Sequence, residues 1–234
     1  MCIQHYFNMF KKYTIVTSFR TIFCSSKLLI IFIMIITGLS SAHSQNYTPV
    51  KNLVEFRTLY SGKSAEISSL QSDFIQKKSI TMLENKIISE GSFIYKRNNK
   101  LRMEYRKPYT FLFVMENDRV SIKNNQQKSS VSTNSNKLFK MISQMTIDCV
   151  TGNVLNSKDF DIEIFENTKV WYLVLKPRLK LLKSLFETID ILISKNDFTV
   201  ERIELKETSG DNTTLIFSNK KINIQVNDEV FQVN

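Results

Sequence analysis

Four residue types are scarce in this chain of 234 residues, which holds five glycines, three prolines, three cysteines and two histidines. So few glycines and prolines argue against a loop-dominated or linker-rich protein. The other proportions, 42% hydrophobic and 23% charged residues, are those of a globular protein. Disorder, collagen-like repeats and a disulfide-rich miniprotein are therefore excluded, and the length allows one large domain or two small ones.

Residues 1–44 have the plan of a secretory signal peptide. They hold four basic residues and no acidic one, with an apolar run over 28–39 and small residues at 40–44. This run is short for a membrane span, which needs about 20 residues; an uncleaved N-terminal anchor is the alternative. No cysteine directly follows the run, and Cys24 precedes it, so we expect that the protein is not itself a lipoprotein. We predict cleavage near residues 42–45 and one exported, soluble domain over 45–234.

Removing this leader changes what chemistry the chain can perform. Four of the 32 basic residues leave with it, and against 22 acidic residues the net charge becomes +6. Cys149 is then the only cysteine, so no internal disulfide can form, and His43 is removed or left at the terminus. Serine–histidine or cysteine–histidine nucleophiles and histidine-based zinc sites are excluded.

Acidic residues are the remaining candidates for catalysis, but they are scattered over alternating stretches in which a solvent-exposed strand face explains them. The chain also has no G-x-S-x-G, H-E-x-x-H or glycine-rich phosphate-binding motif. We therefore predict a binding protein that is not an enzyme and uses no cofactor or metal. An envelope enzyme using a carboxylate pair, and a structural adaptor, are alternatives from other classes.

Periodicity divides residues 45–234 into strands with two helical interruptions. Helical spacing after Pro49 predicts a short helix over residues 50–60, based on Val50, Leu53, Val54 and Leu59. Eleven segments with a period of two then follow between residues 70 and 218, separated by asparagine-rich and other turn signals. Residues 178–186 are expected to form a helical turn.

A second helix is predicted over residues 135–150, between the sixth and seventh strands. Ser135 is a suitable cap and Gly152 a suitable stop. Five apolar residues share one helical stripe: Leu138, Met141, Ile142, Met145 and Cys149. The predicted fold is mainly β with α, because about eleven consecutive antiparallel strands in one domain usually curl into a barrel or half-barrel. The helices can then cover one face of the sheet or plug its opening.

Short motifs in these strands follow one another in a familiar order. The segment 72–76 reads SDFIQ, which resembles the "ADF-x-Q" strand of the outer-membrane lipoprotein carrier family, LolA. Gly91, the segment 93–97 (FIYKR), the segment 101–105 (LRMEY) and Pro108 match "G-x-F-x-x-K-R-P…L-R-W-x-Y-x-x-P". The segments 115–120, 171–177 and 209–217 are similar to its "V-x-D-G-x-x-V", "Y-x-L-x-L-x-P" and "x-G-D-x-T-x-x-x-F". Asn98, Met103 and Asn117-Asp118 depart from the pattern, which suggests a divergent branch.

The resemblance implies a half-open antiparallel β-barrel of about eleven strands, with the N-terminal helix and the inserted lid helix over its concave face. Members of the family take acylated lipoproteins from an inner-membrane ATP-driven exporter, shield their acyl chains and pass them to an outer-membrane acceptor. We accordingly expect a monomeric carrier of acylated lipoproteins in a Gram-negative periplasm. A carrier or sensor of another envelope lipid or acylated polymer is the alternative on the same fold. Nucleic acid is not an expected partner, because no basic–aromatic cluster is present.

Alternating apolar residues of the early strands and the helical stripe are the candidate acyl-binding residues, although a plain buried sheet face and a sealing helix would look the same. Methionines suit a surface that repacks around different chains. The candidates are Phe74, Phe93, Tyr95, Leu101, Met103, Tyr105, Phe111, Phe113, Leu138, Met141, Ile142 and Met145.

Arg97 and Arg102 are the candidate latch residues for the lid. In the family, the arginine of the Lys-Arg-Pro stretch holds the lid closed through helix carbonyls, and Arg97 matches it. The rigid donor fork of a guanidinium suits that role, whereas an exposed surface arginine is the alternative.

Overall fold

Alternation of apolar and polar residues produces the strands of this protein, because successive side chains of a strand point to opposite faces. A computed structural model describes residues 46–83, 86–117, 119–124, 128–132, 144–145, 147–149 and 151–233. The strands are β1 Thr48–Pro49, β2 Ser69–Ser79, β3 Ile87–Lys96, β4 Lys100–Lys107, β5 Phe111–Glu116, β6 Arg119–Asn124, β7 Lys128–Ser132, β8 Phe160–Glu166, β9 Val170–Pro177, β10 Phe186–Ser194, β11 Val200–Glu207 and β12 Asn212–Ile222. Apart from the two-residue β1, these are the eleven predicted strands.

All strands belong to one antiparallel sheet in the order β1-β8-β9-β10-β11-β12-β2-β3-β4-β5-β6-β7. Strand β12 pairs with β2, so the two halves of the chain meet in the middle of the sheet. Strands β1 and β7 are its edges, and they do not pair with each other among the described residues. The sheet is thus a half-open barrel with helices, as predicted.

The N-terminal helix α1 spans Leu53–Ala65, three residues later than predicted at its start and five later at its end. Its start is set by Asn52, whose side chain accepts a hydrogen bond from the Glu55 N–H at 3.1 Å. The predicted apolar face was also wrong, because Leu53 and Val54 are exposed and the helix instead buries Phe56 and Tyr60.

Helix α2 comprises the described helical residues within 144–151, in the predicted inserted segment. It ends at Gly152, whose φ of 77° lies in the left-handed region that favours glycine. The predicted Ser135 cap lies outside the described residues. Helix α3, Lys180–Lys183, occupies the predicted helical turn. Two 3-10 turns complete the elements, Asn153–Asn156 and Asp228–Phe231.

Two hydrophobic clusters form the core on the helix-bearing side of the sheet. The first lies under α1 and contains residues of β8 to β11, with Trp171 5.1 Å from the ring of Phe56. The second contains residues of β2 to β6. Phe217 of β12 packs against both clusters, so the two are continuous. None of the described helices is long and apolar enough to cross a bilayer.

Candidate functional site

The inner surface of the barrel, meaning the side chains that alternate toward α1 and α2, contains the predicted strand residues. Register brings them side by side, since Tyr95 faces Leu101 and Phe93 faces Met103. Phe74, Phe93, Tyr95 and Leu101 are each at most 3% exposed and lie in the second cluster. These four side chains therefore form the floor of the inner surface and are not accessible in this state.

The other four predicted strand residues are only half-buried. Together with Ile122 of β6, which faces Phe113, they form a patch on β4 to β6 that we call the open patch. Its residues are Met103, Tyr105, Phe111, Phe113 and Ile122. A half-exposed apolar surface beside a buried core provides a place for an apolar ligand to add contacts without first opening the whole core.

Tyr105 provides the polar group of the open patch. Its ring lies 4.9 Å from that of Phe74 and 5.6 Å from that of Phe111, and its hydroxyl donates a 2.8 Å hydrogen bond to Oε1 of Gln76. Burial raises the pKa of Tyr105 to about 12, so the phenol stays neutral in this protein at physiological pH. The Tyr105 ring is therefore held in place by ring contacts and one hydrogen bond, without a charge in the open patch.

The sequence interpretation did not select several inner-surface residues on the far side of β2. Leu215 and Phe217 of β12 are half-buried, and the Phe217 ring lies 5.4 Å from that of Phe93. Their spacing of two in a predicted strand was the available signal. This spacing could not show that β12 pairs with β2, a pairing that brings the last strand next to the first long one.

Helix α2 covers the junction of the two core clusters. Met145 and Cys149 are buried in the first cluster, and Ile147 is buried in the second. Burial raises the pKa of the Cys149 thiol to about 12. Leu138, Met141 and Ile142, the remaining predicted lid residues, lie outside the described residues. The described part of α2 thus contacts both halves of the inner surface.

Arg97 joins the β3–β4 turn to the end of helix α1. Its guanidinium donates hydrogen bonds to the carbonyl oxygens of Ala65 and Ile67, the latter at 3.2 Å. Ala65 is the last residue of α1, so these donors meet carbonyls that have no partner within the helix. A space of about 450 Å³ beside Arg97 separates the end of α1 from Gln144, Ile147 and Thr151 of the α2 segment.

Arg102 lies on the opposite face of the sheet from the helices, because it alternates with the inward-facing Leu101 and Met103. Its Nη1 donates a 2.9 Å hydrogen bond to the carbonyl oxygen of Val230, and its Nη2 lies 3.2 Å from Oε2 of Glu104. Arg102 therefore holds the C-terminal 3-10 turn against the outer face, and the structure does not bring it together with Arg97.

Arg57 is a helix-anchoring residue that the sequence interpretation missed. Its guanidinium donates a hydrogen bond from α1 to the carbonyl oxygen of Leu155, which is in the 3-10 turn after α2. One charged side chain thus ties the two covering segments to each other. Its position in an amphipathic helix did not indicate this contact, because the acceptor is a backbone oxygen 98 residues away.

No arrangement for acid–base chemistry is present at the open patch. Along the described inward-facing positions of β3 to β6, no side chain carries a carboxyl group. The described residues also contain no group of three acidic, histidine or cysteine side chains that could hold a metal ion. This part of the site can bind and shield an apolar group.

The architecture defines the class of protein: a half-open antiparallel barrel with helices over an apolar inner surface, as in the LolA-like superfamily. Residues 65–234 match the family described as "Outer membrane lipoprotein carrier protein LolA", and the chain belongs to this family. Its members are carrier or binding proteins rather than enzymes, and membership implies lipoprotein binding.

The solved structures to which this chain is similar are distant in sequence. A LolA superfamily protein from Nitrosomonas europaea is 11% identical, with a TM-score of 0.41 over 76% of this chain and 97% of that one. A putative outer membrane lipoprotein-sorting protein domain from Vibrio parahaemolyticus is 9% identical, with a TM-score of 0.40 over 76% and 94%. The lipoprotein LppX of Mycobacterium tuberculosis is 13% identical, with a TM-score of 0.40 over 74% and 96%. No curated protein sequence matches the chain.

Proposed function

We propose that this protein is a periplasmic carrier that shields the acyl chains of lipoproteins on its inner surface and moves them from the inner to the outer membrane. The observation that carries the proposal is the open patch, a half-buried apolar surface that packs against the core cluster containing Ile147 of α2. Residues 1–44 are the proposed export signal, and no enzymatic step is part of the function.

The energetics suit transfer rather than storage. Burying an acyl chain is worth about 0.8 kcal/mol per methylene group, and a bilayer offers the same chain a similar gain. A carrier therefore needs only to match the membrane approximately, and the cost of moving the helices aside lowers its affinity further. When the free energy of moving the acyl chain from the membrane to the carrier is close to zero, the carrier can be both loaded and discharged.

Polar contacts control how the helices cover the inner surface. Arg97 fixes the end of α1, and Arg57 fixes α1 to the turn after α2. We propose that loading breaks the Arg97 contacts and lets the covering helices separate at the 450 Å³ space beside it. Return to the closed, empty form then competes with cargo binding and so helps to release the cargo.

An inner-membrane ATP-driven exporter and an outer-membrane acceptor are the proposed donor and recipient, and the carrier acts as a monomer. The alternative cargo, another acylated envelope lipid or polymer, is favoured by one observation. The open patch offers a ligand only the Tyr105 hydroxyl as a polar group, and that hydroxyl is already bonded to Gln76. Such a surface recognises an acyl chain and not the group attached to it.

A release assay tests the proposal. Protein expressed from the full coding sequence is purified in the form that the host processes and is added to inner-membrane vesicles. We expect a soluble one-to-one complex with acylated lipoprotein that does not form with an unacylated cargo. A protein that stays empty would contradict the proposal, and a bound free lipid detected by native mass spectrometry would favour the alternative cargo.

Neighbouring residues of strand β5 provide a matched pair of variants for this assay. Phe113→Asp places a carboxylate on the open patch and is expected to abolish the soluble complex, because the charge must be desolvated against the acyl chain. Leu112→Asp places the same carboxylate on the outer face of that strand and is expected to leave complex formation intact. Equal losses in both variants would indicate that unfolding, and not cargo contact, is the cause.

A further inference from the structure

One end of the barrel differs from the rest of the described surface in its side chains. The turns β2–β3, β4–β5, β9–β10 and β11–β12 are all at this end, because Glu90 faces Lys107, Asn212 faces Ser79, and Phe186 faces Glu207. We call residues 80–83, 86–88, 106–109, 178–185 and 208–211 the turn rim.

Hydrogen bonds make the turn rim one continuous surface. Thr208 donates from its N–H to the carbonyl oxygen of Leu185 at 3.1 Å and from its hydroxyl to that of Ser184 at 3.0 Å. Asp211 accepts from the N–H of Thr81 at 2.9 Å. The Lys107 ammonium lies 3.0 Å from Glu90 in the adjacent strand. The segment after helix α3, the β11–β12 turn and the β2–β3 turn are therefore linked directly, and an exposed ion pair joins β4 to β3.

Exposed large apolar side chains are concentrated on this rim. Apart from three residues of α1 and Ile75, every exposed large hydrophobic residue of the described chain lies there. Met82 is 94% exposed and Tyr109 is 74% exposed. The full set is Met82, Leu83, Ile87, Ile88, Tyr109, Leu179 and Leu181. Such clustering marks a surface that is covered in use, since soluble proteins rarely expose it otherwise.

Cations surround these apolar side chains. Lys86, Arg106, Lys180 and Lys183 are exposed, and no described carboxylate forms an ion pair with them. Of the nearby acids, Glu90 and Glu207 are paired with Lys107 and Lys78. Asp211 keeps its charge while it accepts a hydrogen bond from Thr81, so the four unpaired cations outnumber the acids of the rim. The rim therefore presents uncompensated positive charge next to insertable apolar groups.

We propose that the turn rim is a docking surface for the headgroup layer of an anionic lipid bilayer. Apolar side chains flanked by lysine and arginine bind such interfaces through shallow insertion and attraction to anionic lipids. Tyr105 and Phe111 of the open patch directly flank the turn that bears Tyr109. Docking thus brings the accessible end of the inner surface close to the boundary between the headgroups and the acyl chains. The inference deepens the proposed function, on which it rests for its purpose.

Vesicle flotation tests the docking surface. The processed full-length product is mixed with phosphatidylcholine vesicles that contain or lack phosphatidylglycerol. We expect binding to the anionic vesicles that weakens at high salt, and little binding to the neutral ones. Absence of binding, equal binding to both vesicle types, or binding only when membrane proteins are present would overturn the proposal; the last result would assign the rim to a protein partner.

Matched variants locate the contact. Lys180→Gln with Lys183→Gln is expected to lower partitioning on anionic vesicles by roughly tenfold to thirtyfold, whereas Lys51→Gln with Lys169→Gln, exposed at the other end, changes it less than about twofold. Met82→Asn is expected to weaken binding, whereas Val54→Asn on α1 is not. Equal effects of rim and control variants would overturn the assignment.

A second readout separates this inference from the proposed function. Binding of a fluorescent fatty acid from solution reports on the inner surface and needs no membrane. Rim variants are expected to bind it as the wild type does. A wild type that binds the fatty acid but no vesicle refutes only the docking surface, whereas one that binds vesicles but no fatty acid refutes the carrier proposal.

Discussion

Gly91 is the residue at which two strands and a buried ring come closest together. A Cβ atom at this position would contact the carbonyl oxygen of Glu104 and would lie 2.7 Å from Cζ of Phe74, which is 1% exposed. The strand register also shifts between Glu90 and Gly91. The glycine of the family motif thus allows the floor of the inner surface to pack against backbone.

Gly91→Ala is expected to lower the free energy of unfolding by about 1 to 3 kcal/mol, because the added methyl group forces Phe74 and strand β4 apart. Chemical denaturation followed by circular dichroism measures it. Gly62→Ala is the control, since a Cβ there meets nothing within 4 Å and alanine is the better helix former. The control is expected to be neutral or stabilising; a neutral Gly91→Ala would contradict the packing argument.

Cys149 links burial at one residue to the pH dependence of the whole protein. Burial, with a smaller contribution from the Asp148 carboxylate, raises the pKa of its thiol from 9.0 to about 12. The unfolded chain therefore releases this proton above pH 9 while the folded chain retains it, so stability falls as the pH rises.

The thiol alone is expected to cost about 1.4 kcal/mol of stability for each pH unit above 9. Cys149→Ala removes that part of the slope, as denaturation curves between pH 8 and 10.5 would measure. Val154→Ala, in the same cluster, lowers stability but leaves the slope unchanged. An identical slope in Cys149→Ala and wild type would mean that the thiol is not responsible.

At the scale of elements, helix α1 is held by different forces at its two sides. Phe56 and Tyr60 stack with their rings 5.7 Å apart and pack near Trp171, so one side is fixed by apolar contacts. Its last carbonyl is held by Arg97, which is exposed. An exposed polar contact costs less to exchange for water than the buried ring contacts cost to break, and so this end of the helix is the easier one to move.

Arg97→Leu is expected to form the soluble complex with acylated cargo but to discharge it poorly. Loss of the Arg97 hydrogen bonds weakens the closed, empty form by about 1 to 2 kcal/mol, so the loaded form is favoured. The fraction of cargo passed to acceptor membranes measures the effect. Arg102→Leu is the control, because it also loses a bond to a backbone oxygen but on the outer face. Normal transfer by Arg97→Leu, or an equal defect in Arg102→Leu, would remove the latch assignment.

At the scale of the whole molecule, an open sheet leaves part of its apolar inner surface incompletely covered. The first cluster is closed by α1 and the turn after α2, whereas the open patch on β4 to β6 stays half-exposed. A closed barrel of the same residues would bury the patch permanently. The opening between β1 and β7 is therefore what makes the inner surface available to a ligand.

The local sequence pattern was sufficient to predict the strands and the residues that face inward. Alternation and asparagine-rich turns predicted eleven strands, and the residues chosen on β2 to β5 do lie on one face. This succeeded because the strand period is two and neighbouring strands are joined by short turns, so that register follows from the sequence alone. The helical turn at Lys180–Lys183 and the stop at Gly152 were likewise local signals.

Long-range contacts decided the rest. The buried side of α1 depends on Trp171, more than 100 positions away, and so apolar spacing selected the wrong residues. The acceptors of Arg97, Arg102 and Arg57 are backbone oxygens, which leave no trace in side-chain sequence. The sequence by itself determined the strands, their faces and the family. Only the tertiary structure decided which apolar residues stay accessible and which arginine holds a helix, because both depend on how distant segments meet across the sheet.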